Sequence, residues 1–257
     1  VMLLIFNDLA VISRYLLEAG RVHRVLIFNC DVHQGDGTAR ILHDTPEAIT
    51  VSLHFEQNFP ARKAQSDWDI PLPRGMGDTA YLKVVDDALN YLLPLYQPDL
   101  VLYDAGVDVH KDDALGYLQL TDAGVAARDE AVLRHCLGRD IPVMGVIGGG
   151  YSKDRTALAR RHGILHHSAA RVIVVHNDVE PLVDNLRESA VALYWQGLHN
   201  TGYFLISASM GSAAVECASF PQPAAHQADL TPCLLYTSEA AEDLLCVDLG
   251  GRRIIKK

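Results

Sequence analysis

Short, almost unbroken apolar runs recur along the first two thirds of the chain. They are "RVLIFNC" at 24–30, "AITVSLHF" at 48–55, "DLVLYDAG" at 99–106, "IPVMGVIGGG" at 141–150 and "RVIVV" at 171–175. Runs of this length without alternation predict strands buried on both faces. Between them, apolar residues return at helical spacing over 8–20, 77–95, 121–137 and 153–166. Asp8 is a candidate cap and Gly20 a stop for the first helix, "RGMGD" leads into the second, and Thr121 with Asp122 opens the third. Alternating strands and helices predict an α/β domain built on a parallel sheet with helices on both faces.

The pattern fails after about residue 195. Residues 196–232, rich in Ala, Ser, Pro and Gln, are read as irregular or poorly ordered, so the domain is expected over 1–195. The last stretch, 233–257, resembles the frame translation of a sequencing-library adapter, with "CLLYTS" and "VDLGGRRII" carrying the likeness. The ordinary alternative is an amphipathic C-terminal helix, but the tail is left out of fold reasoning. The first residue is Val1 rather than Met, so the true N-terminus is expected upstream.

Composition narrows the class. The chain has 257 residues, 49% of them hydrophobic, and a net charge of -10, which removes the electrostatic case for a nucleic-acid or anionic-membrane binder. Cys30, Cys136, Cys217, Cys233 and Cys246 are scattered without CxxC spacing, as in a reducing cytoplasm. "VMLLIF" is too short for a signal-peptide core, and no stretch approaches the roughly 20 apolar residues of a membrane span. A cytoplasmic location with no membrane partner is the expectation. Oligomeric state is left open.

Candidate chemistry lies where the apolar runs end. In parallel α/β sheets, ligands bind outside the carboxyl ends of the strands. The first run leads into "DVHQGDGT", the third into "DAGVDVHKDDALG" and the fourth into "GGGYS". Polar groups at the end of a buried strand are costly unless something pairs with them. Asp31, His33 and Asp108 together would suit one divalent cation, two carboxylates offsetting its charge and three ligands leaving a position for water. Gly148, Gly149 and Gly150 would let backbone approach a ligand, and Tyr151 would offer its hydroxyl to a developing oxyanion. Taken singly, each feature also reads as a cap or turn. A dinucleotide cradle is disfavoured, because "GGGYSKD" lacks the G-x-G-x-x-G fingerprint.

Together, "FNDLAV", "DVHQGDGT", "VSLHF…NFP", "LVLYDAGVDVHKDDALG", "LTDAG" and "VIGGGYSKD" resemble the histone deacetylase family in its bacterial, class IV-like form, in family order over roughly residues 6–175. The resemblance implies the arginase/deacetylase fold, incomplete at the N-terminus, and a catalytic metal on Asp31, His33 and Asp108. Zinc is the usual ion; oxygen-rich ligation also suits iron or cobalt. It implies Tyr151 as the transition-state tyrosine, Phe59 and Gly149 along the substrate tunnel, and a potassium-type monovalent-cation site at Asn29, Ser52 and Leu53. Asp36 would stand close enough to accept a hydrogen bond beside the metal.

The implied reaction is hydrolysis of an N-acyl amide, on an acetyl-lysine protein or a small acetylated amine. The related binuclear ureohydrolases want Asp-x-His-x-Asp; Gly35 fills the last position here, which argues for one metal. Two departures stand out. The family's tandem-histidine general base precedes "FNDLA" in a Gly-rich stretch that this sequence does not contain, and Asn29 stands where an Asp is common. His166–His167 is read as a surface or capping pair rather than a substitute base, and His54 and His110 as supporting residues. Impaired turnover is therefore expected, with a non-catalytic module that captures acylated ligands as the alternative.

Overall fold

The computed structural model describes residues 7–176 and a short antiparallel pair, Cys246–Val247 (β6) with Arg253–Ile254 (β7). At its centre lies β1 (Val25–Asn29), buried at every position. It pairs in parallel with β2 (Ala48–Phe55) on one side and β4 (Leu100–Asp104) on the other. β3 (Trp68–Leu72) and β5 (Val143–Val146) complete a five-stranded parallel sheet in the order β3-β2-β1-β4-β5.

Alternation inside the apolar runs decides which face each residue covers. Val25, Ile27, Leu100 and Leu102 pack with α1 (Asp8–Glu18) and with Leu42 of α2 (Asp36–Leu42). Leu26, Phe28, Val101 and Tyr103 face the larger core, built with α3 (Asp78–Tyr96), α4 (Asp122–Leu137) and α5 (Arg155–His176). Helices on both faces of a parallel sheet are the architecture that the periodicity predicts. No described helix is long and apolar enough to cross a membrane.

The caps follow local chemistry. Asn7, rather than Asp8, caps α1, its Oδ1 accepting from the Ala10 N–H at 2.8 Å, and Asp8 falls in the first turn. Thr121 Oγ1 accepts from the Gly124 N–H at 3.0 Å at the start of α4. α3 runs through Pro94 into a left-handed Gln97 cap.

Two elements differ from the sequence reading. "RVIVV" is not a fifth strand: α5 continues through it to His176. β-Branched residues favour strands only where the surroundings suit them. Here Leu158, Leu165, Ala169 and Val172 keep a helical stripe buried against the core. Arg171 Nε, 2.8 Å from Glu130 Oε1, ties the same helix to α4. β3 was not anticipated, because "WDIPL" alternates instead of running apolar, and Pro71 is tolerated on an edge strand. Residues 1–6, 177–195 and 196–232, and the adapter-like reading of 233–257 apart from the β6–β7 pair, lie outside the described residues.

Candidate metal centre

The carboxyl ends of β1, β4 and β5 meet at one place. Asp31 and His33 do not continue β1. They sit in the turn after it, which puts both side chains toward the loop that follows β4. His33 Nδ1 lies 3.0 Å from Asp31 Oδ1 and 3.0 Å from Asp108 Oδ2. One ligand atom from each of the three residues falls within 4.8 Å of the others. Asp108 is wholly buried.

Backbone donors hold the two carboxylates. Asp31 Oδ1 accepts from the His33 N–H at 2.7 Å, Asp31 Oδ2 from the Gly149 N–H at 2.7 Å, and Asp108 Oδ1 from the Val32 N–H at 2.8 Å. The Gly149 carbonyl in turn accepts from the N–H groups of Val107 at 2.7 Å and Asp108 at 3.2 Å. A Cβ on Gly149 would stand 2.2 Å from Asp108 Oδ2 and 2.4 Å from Asp31 Oδ2, so only glycine passes here.

Electrostatics mark the site as made for a cation. Burial alone would depress His33, but hydrogen bonds to Asp108 and Asp31, with their charges, raise it to about 10. Burial opposes charge on Asp31 too, yet its bonds with His33 hold it below the usual carboxylate range. Asp108 is pushed well up by burial and then by the charge of Asp31. Asp104 rises to about 8 for the same two reasons, and its Oδ1 is buried with no hydrogen-bond partner among the described residues. Carboxylates crowded and desolvated in this way are stabilised as anions by a divalent ion. The donor set therefore fits one metal on Asp31, His33 and Asp108.

Tyr151 follows the glycines, its ring edge-on to His33 at 5.6 Å between centroids. Burial, and after it the charges of Asp31 and Asp108, push its hydroxyl well above the ordinary range, so it remains a proton donor. A residue that sequence reasoning missed fixes its backbone. Asp113 Oδ2 accepts from the Tyr151 N–H at 2.6 Å, while the Ala114 N–H donates to the Tyr151 carbonyl at 3.3 Å.

The remaining expected residues fall as follows. Phe59 is 47% exposed on the loop after β2. Asn58 Nδ2 ties that loop to the Leu115 carbonyl at 2.7 Å, and Leu115 and Tyr117 are exposed nearby in sequence. Ser52 and Leu53 are buried in β2, with Ser52 paired in register with Asn29. Asp36 does not reach the metal residues. It opens α2, where its carboxylate takes Arg40 Nε at 3.4 Å one helical turn on.

His54 Nδ1 lies 3.0 Å from Ser52 Oγ. His110 ties its loop to the start of α4 through Asp122, at 3.2 Å. His166 and His167 lie well inside α5, about three turns past its start. Also missed was Arg128 of α4, fully buried, which donates to the Gly106 carbonyl at 2.6 Å beneath the ligand loops.

Comparison with known proteins bears on the family and the fold. The histone deacetylase domain, as a family profile, matches residues 4–166. An uncharacterized protein of Picosynechococcus sp. is 48% identical over 168 residues, 65% of this chain and 56% of that protein. Histone deacetylase 2 of Arabidopsis thaliana is 31% identical over 153 residues, 58% of this chain and 39% of that one. A probable deacetylase of Archaeoglobus fulgidus is 29% identical over 162 residues, 58% and 44%. The chain thus spans about half the length of these relatives. Among solved structures, an acetylpolyamine aminohydrolase from Burkholderia pseudomallei superposes with a TM-score of 0.55 at 24% identity, over 65% of this chain and 50% of that one, a likeness of fold.

Proposed function

Because the chain belongs to the histone deacetylase family, we propose that it carries the metal-dependent centre of an amide hydrolase that removes acetyl or related acyl groups from amines. The observation that carries this is the convergence of Asp31, His33 and Asp108 on one point with Tyr151 beside it. When bound there, a divalent ion, zinc in the first instance, supplies Lewis-acid polarisation of the acyl carbonyl and a more acidic water.

The protein's own residues do the rest. His33 would hold the ion through Nδ1, the nitrogen that faces both carboxylates, and that nitrogen would have to be free of its proton to do so. Without the ion, the same nitrogen lies between Asp31 and Asp108, 3.0 Å from each, which keeps the ligand turn against the loop after β4. Tyr151, kept protonated, donates its hydroxyl to the oxygen that becomes negative as the carbonyl is attacked. Gly149 brings its backbone against both carboxylates, where any side chain would strike them. Phe59, Leu115 and Tyr117 offer an apolar approach for the stem of an acylated amine.

The substrate class we propose is an acetylated lysine or a small acetylated amine. The resemblance puts the general base on a tandem histidine that these 257 residues do not include. Losing a general base costs roughly 10²–10⁴-fold in rate, so slow turnover is proposed for this polypeptide. The buried free thiols of Cys30 and Cys136 support a reducing cytoplasm as its compartment.

The test is hydrolysis of an acetyl-lysine reporter by the protein with its upstream segment joined, with and without zinc. Metal-dependent release of acetate, lost in Asp31→Ala and cut about 10²–10³-fold in kcat by Tyr151→Phe, is the expected result. Tight zinc binding without turnover in that protein would leave only a binding module.

A further inference from the structure

One side chain closes the turn that carries two of the three ligands. Asn29 ends β1 and is 5% exposed. Its Oδ1 accepts from the Asp31 N–H at 2.9 Å, and its Nδ2 donates to the His33 carbonyl at 3.1 Å and to Ser52 Oγ at 3.2 Å. The partners dictate which way the amide points. A backbone N–H can only donate and a carbonyl can only accept, so oxygen faces Asp31 and nitrogen faces His33.

Ser52 Oγ is fully used as well. It accepts from Asn29 Nδ2 and from the Gly35 N–H at 3.3 Å, and His54 Nδ1 stands 3.0 Å from it and 3.2 Å from the Ser52 carbonyl. A hydroxyl oxygen has two lone pairs, and these two donors take both, so neither remains for another ligand.

This arrangement does not fit a monovalent cation. An ion between Asn29, Ser52 and the ligand turn would need inward-facing lone pairs, and the two nearest acceptors already face an N–H group. Position 29 carries no negative charge to offset an ion either.

We propose that the Asn29 amide takes the seat that the deacetylase family gives to an alkali ion, so that this chain holds its Asp31–His33 turn without potassium. A neutral donor does locally what a cation would do, satisfying the His33 carbonyl and Ser52 Oγ. It adds what a cation cannot, an acceptor for the Asp31 N–H. The proposal rests on the family reading for the comparison but on these contacts for its content.

The experiment uses the 257-residue chain in potassium, sodium and tetramethylammonium chloride at one ionic strength. Two quantities are followed, the thermal midpoint of the metal-free protein and zinc affinity by chelator competition. For the wild type, both should be the same in the three salts. A potassium-specific rise in the midpoint, or a tenfold gain in zinc affinity, overturns the proposal.

Asn29→Asp turns the donor into an anion facing two acceptors. Its midpoint should fall in tetramethylammonium and recover in potassium, and indifference to the salt counts against the idea. Should Asn29→Asp fold in none of the salts, Asn29→Ser replaces it under the same two outcomes. Neither measurement needs substrate, so a negative result leaves the hydrolase reading to its own assay, and a failed hydrolase assay leaves these salt series intact.

Discussion

Arg128 offers the sharpest test of how the site is supported. It is fully buried, and its guanidinium donates to the carbonyls of Gly106 at 2.6 Å, Ala105 at 3.3 Å and Cys30 at 3.4 Å. These are the ends of β1 and β4, just before Asp31 and Asp108. Its Nη2 also pairs with Asp129 at 2.9 Å, and Asp129, 1% exposed, accepts the Tyr103 hydroxyl at 2.6 Å.

Burial already pushes Asp129 upward despite its cationic neighbour. Arg128→Met would keep much of the volume but leave that carboxylate with only a phenol for support. Removing one partner of a buried pair costs about 3–5 kcal/mol. For a body of this size that is a fall in Tm of roughly 6–20 °C, at about 2–4 °C per kcal/mol. Urea unfolding followed by circular dichroism measures the loss directly. Adding Asp129→Asn, which removes the stranded charge and keeps an acceptor for Tyr103, should recover most of it. If Arg128→Met costs less than about 1 kcal/mol, within the range of a surface pair, or if the second change recovers nothing, the reasoning fails.

Gly149→Ala should fold yet bind zinc about 10–100-fold more weakly, the scale seen when the supports of a metal ligand are disturbed. Chelator competition reads it, and unchanged affinity would mean that the loop moves aside freely. His162 gives a pH signature: burial first, and the charge of Arg128 second, lower it to about 4, and its Nδ1 has no hydrogen-bond partner among the described residues. The unfolded chain therefore takes up a proton that the folded one refuses. The contribution of His162 to stability is complete above about pH 6.5 and is lost as pH falls toward 4, by about 3 kcal/mol in total. The stability difference between the wild type and His162→Gln, from urea titrations, should change by about that amount between pH 6.5 and 4, since other titrating groups contribute alike to both; a difference that does not vary with pH would exclude the His162 contribution.

The elements legible in the chain are those whose physics is local. β1, β2 and β4 lie between two layers of helices, so nearly every residue must be apolar, and a continuous run announces them. The candidate metal residues stand out for the converse reason, since carboxylates and an imidazole at the ends of such runs have no apolar explanation. β3 was not, because an edge strand with Pro71 and alternating exposure carries no such run. "RVIVV" misled because β-branched propensity is weaker than the pull of a core that keeps Ala169 and Val172 buried on a helix.

The supports of the site were hidden more deeply. Arg128 reaches the Cys30 carbonyl across 98 residues, and Asp113 reaches the Tyr151 N–H across 38. An Arg-Asp pair in a helix, or an Asp-Asp pair after a lysine, looks like solvated charge until distant backbone closes over it. Asn29 shows the limit from the other side. Its position at the end of β1 was plain, and its family context suggested an ion. The sense of its amide, though, depends on the His33 carbonyl folding back 3.1 Å from its nitrogen. Residue type can place polar chemistry at a strand end; only the closed turn decides whether the charge there comes from a bound cation or is replaced by a donor of the chain itself.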